Sequence, residues 1–558
     1  MEIKLKNLLL ALLFVGALTI HSNKLLSNED EQVSIEADEI IVTSSYIDPN
    51  LSDLDDPIHV IDGNDTIFDS TLSLGESLDN LLGVQSSDFG VAVGHPIIRG
   101  LSGKRVRVMN NGKTLRDVSA VGDDHMDEVD LNDIQQVEIV RGPSSLLYSS
   151  GSVGGIVNII DNTIAREDFK NLELNIGLET QSVNDGEAGS FSYQNNIGGF
   201  NISLAYKDSQ FDNYDIPNGA IIHSEDEHHD EDEHHDEDEH HDEDEHHDEE
   251  NLGYLENSDF ESTSQRFGIS KTGEWGYFGV SYKNSESLFG VPFHGDGHGH
   301  GMHDEDEHHD EDEHHDEDEH HDEDEHEGER IFSTTESDVF DIEGAYVVNS
   351  SWLRKINYFF RSSDYLHTEQ HAEEEGHHDE DEHYEEDEHD EHGHSEGPTN
   401  FENEAKEFGF IFDLTNDVVE QKLSINYVEE EISIIGAEAF MRPTDNEELS
   451  IGYYLCKEFG LFDLDLGIRY DDISRKGSLV HHEEEHHDED EHHDEDEHHD
   501  EDEHEMEIDY FNKDYSETSF AVNFAREVND NFTVSLGLAR VERAPSAVEL
   551  FMNGAHLV

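Results

Sequence analysis

The 558-residue sequence predicts an all-β transmembrane barrel, incomplete at about 12–14 strands, behind a small N-terminal α+β domain. Three observations predict it. From about residue 165 onward, short segments alternate apolar and polar residues, the period of a strand with two unlike faces. After residue 22, no segment carries the ~20 consecutive apolar residues of a membrane helix, so a crossing needs a closed sheet. Ahead of the alternation, residues 134–161 place two β-prone runs around a Gly-Pro break and a glycine cluster.

The chain is read in order. Residues 1–22 read as a secretory signal: Lys4 and Lys6 precede the apolar run from Leu8 to Ile20. Within residues 36–46, Glu39, Ile40, Ile41, Val42 and Thr43 form an isolated β-prone run after a polar stretch. Such a run can add as a strand to a partner's sheet edge, although an ordinary first strand is the plainer reading. Residues 50–163 form the α+β domain. Leu74, Leu78, Leu81 and Leu82 have the spacing of one helix face over Leu72 to Leu82. Val106 to Val108 reads as a strand ending in an Asn110-Asn111-Gly112 turn. Val137 to Val140 is a second strand, stopped by Gly142-Pro143. A helical turn at Ser144 to Tyr148 and glycines 151, 154 and 155 then lead into the strand Ile156 to Ile160, a βαβ-like unit.

Residues 165–558 supply the barrel strands. The candidates are Leu172 to Leu178, Phe200 to Ala205, Trp275 to Tyr282, Phe340 to Tyr346, Trp352 to Phe360, Phe408 to Leu414, Lys422 to Tyr427, Ile451 to Leu455, Phe462 to Tyr470, Phe520 to Phe524 and Phe532 to Leu538. Aromatics gather near strand ends, as at Trp275, Tyr277, Tyr282 and at Tyr358, Phe359, Phe360, like the girdles of outer-membrane barrels. A soluble β-sandwich explains neither so many strands nor the leader.

Net charge is -108, from 139 acidic and 31 basic residues, which excludes a general nucleic-acid binder and points to cations as partners. One cysteine, Cys456, excludes a disulfide framework and a cysteine-based zinc site. Much of the charge sits in four insertions at 223–250, 294–327, 367–395 and 481–505, three of which repeat the hexad HHDEDE. They hold 37 of the 42 histidines, so the histidine content is a property of these tracts rather than of the strands. With no apolar residue per hexad and strong self-repulsion, the tracts are expected to lack a fold of their own. A solubilising spacer is the plainer reading. Paired imidazoles among carboxylates favour weak divalent-metal capture, with His228, His229, His234, His235, His294, His298, His300, His308, His309, His377, His378, His486 and His487 as donors. His482 to His486 spells the zinc-protease pattern H-E-x-x-H, but within a tract of His and Glu such a match is expected by chance.

The wording of VEIVRGPSSLLYSSGSVGGIVNII, from Val137 to Ile160, resembles the closing segment of the plug domain of TonB-dependent outer-membrane receptors. HPIIRGLSGKRVRVMNNG, from His95 to Gly112, resembles that plug's earlier strand pair, in the family's order. The resemblance implies a barrel closed around an N-terminal plug, in the outer membrane of a Gram-negative bacterium. It implies that Glu39 to Ser44 is a TonB box, with the TonB-ExbB-ExbD complex as energy-coupling partner and outer-membrane lipid around the wall. Plugged transporters of this kind have about 22 strands, so the chain is expected to be C-terminally truncated.

Within the family, an Asp-His dipeptide in this plug loop contributes to the metal site of zinc receptors, and Asp124 and His125 stand at the matching place. Weaker matches, in GAEAF (436–440) and in VERAPS (541–546) with its downstream GAH, add Glu438 and His556. Asp, Glu and His are all zinc donors, and four of them meet the tetrahedral count. A solvated loop is the plain alternative for each. The sequence therefore reads as a transporter, not an enzyme, for a divalent transition metal, zinc foremost. A haem or metal-chelate receptor and a non-transporting surface metal binder are the alternatives.

Overall fold

The computed structural model describes residues 59–63, 73–149, 151–217, 220, 253–292, 330–371, 397–436, 439–481, 507–529 and 532–553. The leader, the TonB-box candidate, the named capture histidines, Glu438 and His556 lie outside these residues. All of the described residues fall within one compact unit.

The N-terminal domain begins with β1 (His59–Asp62), α1 (Leu74–Leu78) and the hairpin β2 (Val84–Phe89) and β3 (Val93–Ile98). It continues with β4 (Val106–Asn110), β5 (Lys113–Thr114), β6 (Ile134–Val140) and β7 (Gly155–Asp161). Its main sheet has the order β1-β6-β7-β4-β5. Central β7 is buried throughout, as its near-continuous apolar run requires. Its one amide, Asn158, is satisfied: it accepts from the Gly112 amide at 2.8 Å and donates to Glu138 Oε2 at 3.1 Å. Leu74, Leu78, Val84, Ile98, Val106, Val137, Ile139, Val157 and Ile159 make the core. Each such side chain contributes about 1.5–3 kcal/mol on burial.

Two expectations change here. The βαβ-like unit is wrong, because β6 and β7 are adjacent and antiparallel, and it is β4 that runs parallel to β7. The helix is shorter than its leucine spacing suggests. Ser73 caps it by accepting from the Glu76 amide, but it stops at Leu78, the chain turns through Gly83 (φ +79°), and Leu82 is 88 % exposed. Asn110-Asn111-Gly112 does form the β4–β5 turn, with Asn111 (φ +52°) and Gly112 (φ +76°) both left-handed.

The second sheet has thirteen antiparallel strands in sequence order. They are β8 (Glu173–Gln181), β9 (Gly186–Ile197), β10 (Phe200–Phe211), β13 (Phe260–Gly273), β14 (Gly276–Gly290), β15 (Ile331–Val347), β16 (Lys355–His371), β17 (Thr399–Asp413), β18 (Glu420–Ile435), β19 (Thr444–Glu458), β20 (Asp463–His481), β21 (Glu507–Asn529) and β22 (Phe532–Arg540). Short β11 (Tyr214–Asp215) and β12 (Tyr254–Leu255) pair apart, and α2 (Ala547–Phe551) follows β22.

The wall is inside-out relative to a soluble fold. On β17, Phe408 and Phe410 are more than 40 % exposed while Glu407 is buried; on β20 and β21, Ile468, Tyr470, Phe520 and Phe524 face out while Asp471, Arg469, Glu517 and Ser519 face in. Apolar-out, polar-in alternation fits a sheet whose outer solvent is lipid. No helix among the described residues is long and apolar enough to cross a membrane. The sequence reading missed β9 and β13, whose inward positions are so polar that no apolar run remains. It also placed Tyr277 in a girdle, whereas Tyr277 is buried and donates to Glu343 Oε1 at 2.6 Å. Strands run further than their apolar stretches: β16 and β20 continue to His371 and His481, into segments assigned to the tracts.

The N-terminal domain seats on this wall. Its Pro143–Leu147 turn lies against β19 and β20, where a Cβ on Gly467 would fall 2.3 Å from the Pro143 carbonyl and one on Gly452 2.8 Å from that of Leu146. Arg469 donates to the Leu146 carbonyl at 3.3 Å. On the β15–β16 side, buried Lys113 pairs with Asp341 at 3.2 Å and Glu343 at 3.1 Å. Arg361 bridges Asp341 (2.9 Å) and Asn110 Oδ1 (3.1 Å).

Candidate metal centre

Between β5 and β6 the chain has no regular structure, and side-chain hydrogen bonds fix its path instead. Asp117 accepts from the Ser119 amide (3.2 Å) and hydroxyl (2.7 Å) through Oδ1 and from the Glu128 amide (3.0 Å) through Oδ2. Burial, and then the charge of Asp127, push the Asp117 carboxyl up to about 6. On β3, His95 holds the far end of the loop through Nδ1 and Asp127 Oδ2, 3.2 Å apart.

This path presses Asp124 and His125 against the wall, where both are buried, His125 completely. His125 Nδ1 donates to the Val118 carbonyl at 3.0 Å, which directs Nε2 at Glu369 Oε1, 2.7 Å away. His367 Nε2 lies 3.2 Å from the same oxygen. His367 and Glu369 are two apart on β16 and so share its inner face. Phe401, directly opposite His367 on β17, packs its ring at 4.8 Å from His125 and 5.5 Å from His367. A ring nitrogen of His125, one of His367 and a Glu369 carboxylate oxygen lie within 4.8 Å of one another. Asp124 Oδ1 is 3.9 Å from His125 Nε2, buried, and without a hydrogen-bond partner among the described residues.

A neutral His125 that donates from Nδ1 has only a lone pair to offer Glu369, and two acceptors in contact repel. The contact therefore needs a proton on His125 Nε2 or, in its place, a metal ion. Burial disfavours charge on His125, but the Glu369 hydrogen bond and the charges of Asp124 and Glu369 outweigh it and raise the pKa above its usual value. A divalent ion meets the same demand. His125, His367 and Glu369 supply three of the four donors of a tetrahedral zinc site, without sulfur, and Asp124 lies beside His125. The Nδ1 bond of His125 to a backbone carbonyl is the outer-sphere contact that orients a metal-binding imidazole.

Of the four residues named from sequence, the structure brings Asp124 and His125 together, while Glu438 and His556 lie outside the described residues. Phe440 and Phe551, which neighbour those two in sequence, pack in the apolar cluster that contains Phe401. His367 and Glu369 were missed. His367 was counted with the acidic tracts, yet it is a fully buried strand residue. The available signal was the period-two series Tyr365, His367, Glu369, which continues the β16 alternation past the start of the tract.

Residues 50–156 match the profile of the TonB-dependent receptor plug domain. That match covers the N-terminal domain. A stretch of 125 residues is 29 % identical to a vitamin B12 transporter of Photobacterium profundum, covering 22 % of this chain and 20 % of that one. The whole architecture is similar to solved receptors. The hemophore receptor HasR of Serratia marcescens, in complex with its hemophore and heme, superimposes with a TM-score of 0.60 at 12 % identity, over 90 % of this chain and 66 % of its own. The copper transporter OprC gives 0.58 at 12 % identity, over 88 % and 65 %. The FrpB iron transporter of Neisseria meningitidis gives 0.56 at 11 %, over 87 % and 64 %. The chain thus spans just under two thirds of those receptors, and the likeness establishes a plug-and-barrel fold.

Proposed function

We propose that the chain is a TonB-dependent outer-membrane receptor that takes up a divalent transition metal, with zinc as the ion its donors suit best. One observation carries the reading: His125 of the plug, with Asp124 beside it, meets His367 and Glu369 of the wall in a buried cluster of N and O donors that could hold a metal ion. The tracts gather ions at low affinity, and this cluster holds one. TonB, engaging Glu39 to Ser44 and driven by ExbB and ExbD, then moves the plug and releases the ion inward. Haem or a siderophore chelate fits less well, because both imidazoles are fully buried and Phe401 closes over them, leaving no room for a macrocycle. A surface metal binder that does not transport has no use for a plug seated on glycines in the wall.

Radioactive zinc uptake by energised cells expressing the chain tests this. The double variant His125→Ala, His367→Ala should lose uptake at limiting zinc, as should wild-type cells whose proton gradient has been collapsed. Uptake that persists in either case contradicts the proposal.

A further inference from the structure

We propose that Lys104 and Arg107 of the plug, with Arg475 of the wall, form a binding site for a small multivalent oxyanion, a phosphate or a polycarboxylate, which fastens the plug to the wall. None of these residues belongs to the metal cluster, so the site does not depend on which cargo the receptor carries.

A cavity between plug and wall is lined by four cationic side chains: Lys104 just ahead of β4, Arg107 on β4, Arg116 just after β5, and Arg475 on β20. Two of them are neutralised in place. Arg116 pairs with Glu430 at 3.3 Å and lies 3.9 Å from Glu407, and Arg475 pairs with Glu448 through Nη2. Glu430 is further occupied, accepting from Asn403 at 3.3 Å and from Asn446 at 3.4 Å. Lys104 and Arg107 have no ion pair among the described residues. Arg107 Nε is buried with no hydrogen-bond partner among those residues. The same holds for Nε and Nη1 of Arg475, whose side chain is only 9 % exposed. Buried donors without acceptors cost free energy, and a guanidinium fork matches the paired oxygens of a carboxylate or phosphate.

The cations also act on one another. Burial, then the charge of Arg107, push the Lys104 ammonium down to about 8, and Arg475 acts in the same direction. Burial lowers Arg107 as well, with Arg116 and Arg475 adding to it against Glu448 and Glu430. An anion between them relieves that repulsion. The lining holds four carboxylates too, so position rather than net charge makes the site. Glu430 and Glu448 have their arginines. Asp127 meets His95 at 3.2 Å, and Asp117 accepts from Ser119 and the Glu128 amide. The unpaired cations come from the plug and the unpartnered Arg475 nitrogens from the wall. A ligand that serves both needs negative oxygens on more than one side, which phosphate and polycarboxylates have and chloride lacks.

Protease cleavage of the plug in the detergent-purified full chain, free of metal at pH 7, tests this. Inorganic phosphate and citrate are compared with chloride at equal ionic strength. At least one of the two should slow cleavage, by about tenfold at ten times its Kd, and which of them does so identifies the ligand's chemistry. Arg107→Gln keeps hydrogen-bonding groups but removes the charge. It should weaken that anion's binding at least about tenfold, the scale of one charge-assisted hydrogen bond. In chloride it should be cleaved no faster than wild type, because the cation it removes is unpaired. The double variant Lys104→Gln, Arg107→Gln should lose the protection entirely. Wild-type cleavage that is the same in all three salts, or protection that survives in the double variant, overturns the site. Faster cleavage of Arg107→Gln in chloride overturns it as well, since Arg107 would then brace the plug without a ligand.

Discussion

The two halves of the metal centre are held in different ways. His367 and Glu369 stand on β16, whose backbone is hydrogen-bonded to β15 on one side and to β17 on the other. Asp124 and His125 stand on an irregular loop secured by a few side-chain contacts from Asp117 and His95. Shifting a strand inside a ladder breaks many backbone bonds at once, whereas a loop moves at the cost of a few. The wall is the fixed jaw of the site and the plug loop the movable one. An ion bridging them would tie the loop to the wall.

The sharpest way to break this arrangement is at the atom both imidazoles share. Glu369→Ala removes the oxygen that contacts both His125 and His367. Zinc affinity measured by competition with a chelator should fall by at least about 100-fold, beyond what an outer-sphere change brings. An affinity within a few-fold of wild type would mean that the jaws do not close on metal at Glu369. Removing one partner of a buried charged pair costs about 3–5 kcal/mol when the other stays charged. His125 is expected to lose its proton instead, which limits the loss of stability.

The jaws also explain which half was legible in the sequence. The plug half could be read because loop and strand pair carry family wording around Asp124 and His125. The fold class could be read because lipid imposes apolar-out alternation. The wall half was hidden by composition. Once histidines and acids fill the neighbouring insertion, one histidine at its margin looks like one more of them, and only strand register shows that His367 points inward. Strands β9 and β13 were hidden for a related reason: polar inner positions, unremarkable in a wall, dilute an apolar signal. The parallel partner of β7 is β4, a contact distant in sequence that the local pattern of residues 134–161 does not show.

A smaller perturbation tests the seat rather than the jaw. Gly467→Val places a side chain where the Pro143 carbonyl lies, without touching a metal donor. The wall should still assemble, since β-branched residues suit strands. The plug should sit displaced. Protease should cut the plug faster in outer-membrane preparations, and zinc affinity should weaken by about tenfold, a cost near 1.4 kcal/mol. A plug as resistant as wild type would show that the Pro143–Leu147 turn does not fix the position of the movable jaw.

The smallest expected effect is on pH, and its sign separates proton from metal. In the metal-free protein the raised pKa of His125 means the charged imidazolium, held by Glu369 and Asp124 and opposed by burial and neighbouring His367, stabilises the seated plug. A group whose folded pKa is raised contributes fully below its unfolded value, about 6.5, and loses that contribution as pH climbs through the folded value. Asp117, pushed up to about 6, acts with the same sign, but its effect is spent by that pH. From pH 6.5 to 8.5, then, the metal-free plug should loosen, by no more than about 1.4 kcal/mol per unit for one proton. Zinc reverses the trend, because it takes the nitrogen the proton gives up, so the stabilisation due to zinc should grow over the same range. Hydrogen exchange of loop amides 117–128, with and without zinc, reads both slopes. His125→Gln should remove the zinc effect and shrink the metal-free slope to the part contributed by His95, whose pKa is also raised and which holds the same loop through Asp127. Metal-free protection that rises with pH, or a zinc effect that does not, would remove His125 from the joint between plug and wall.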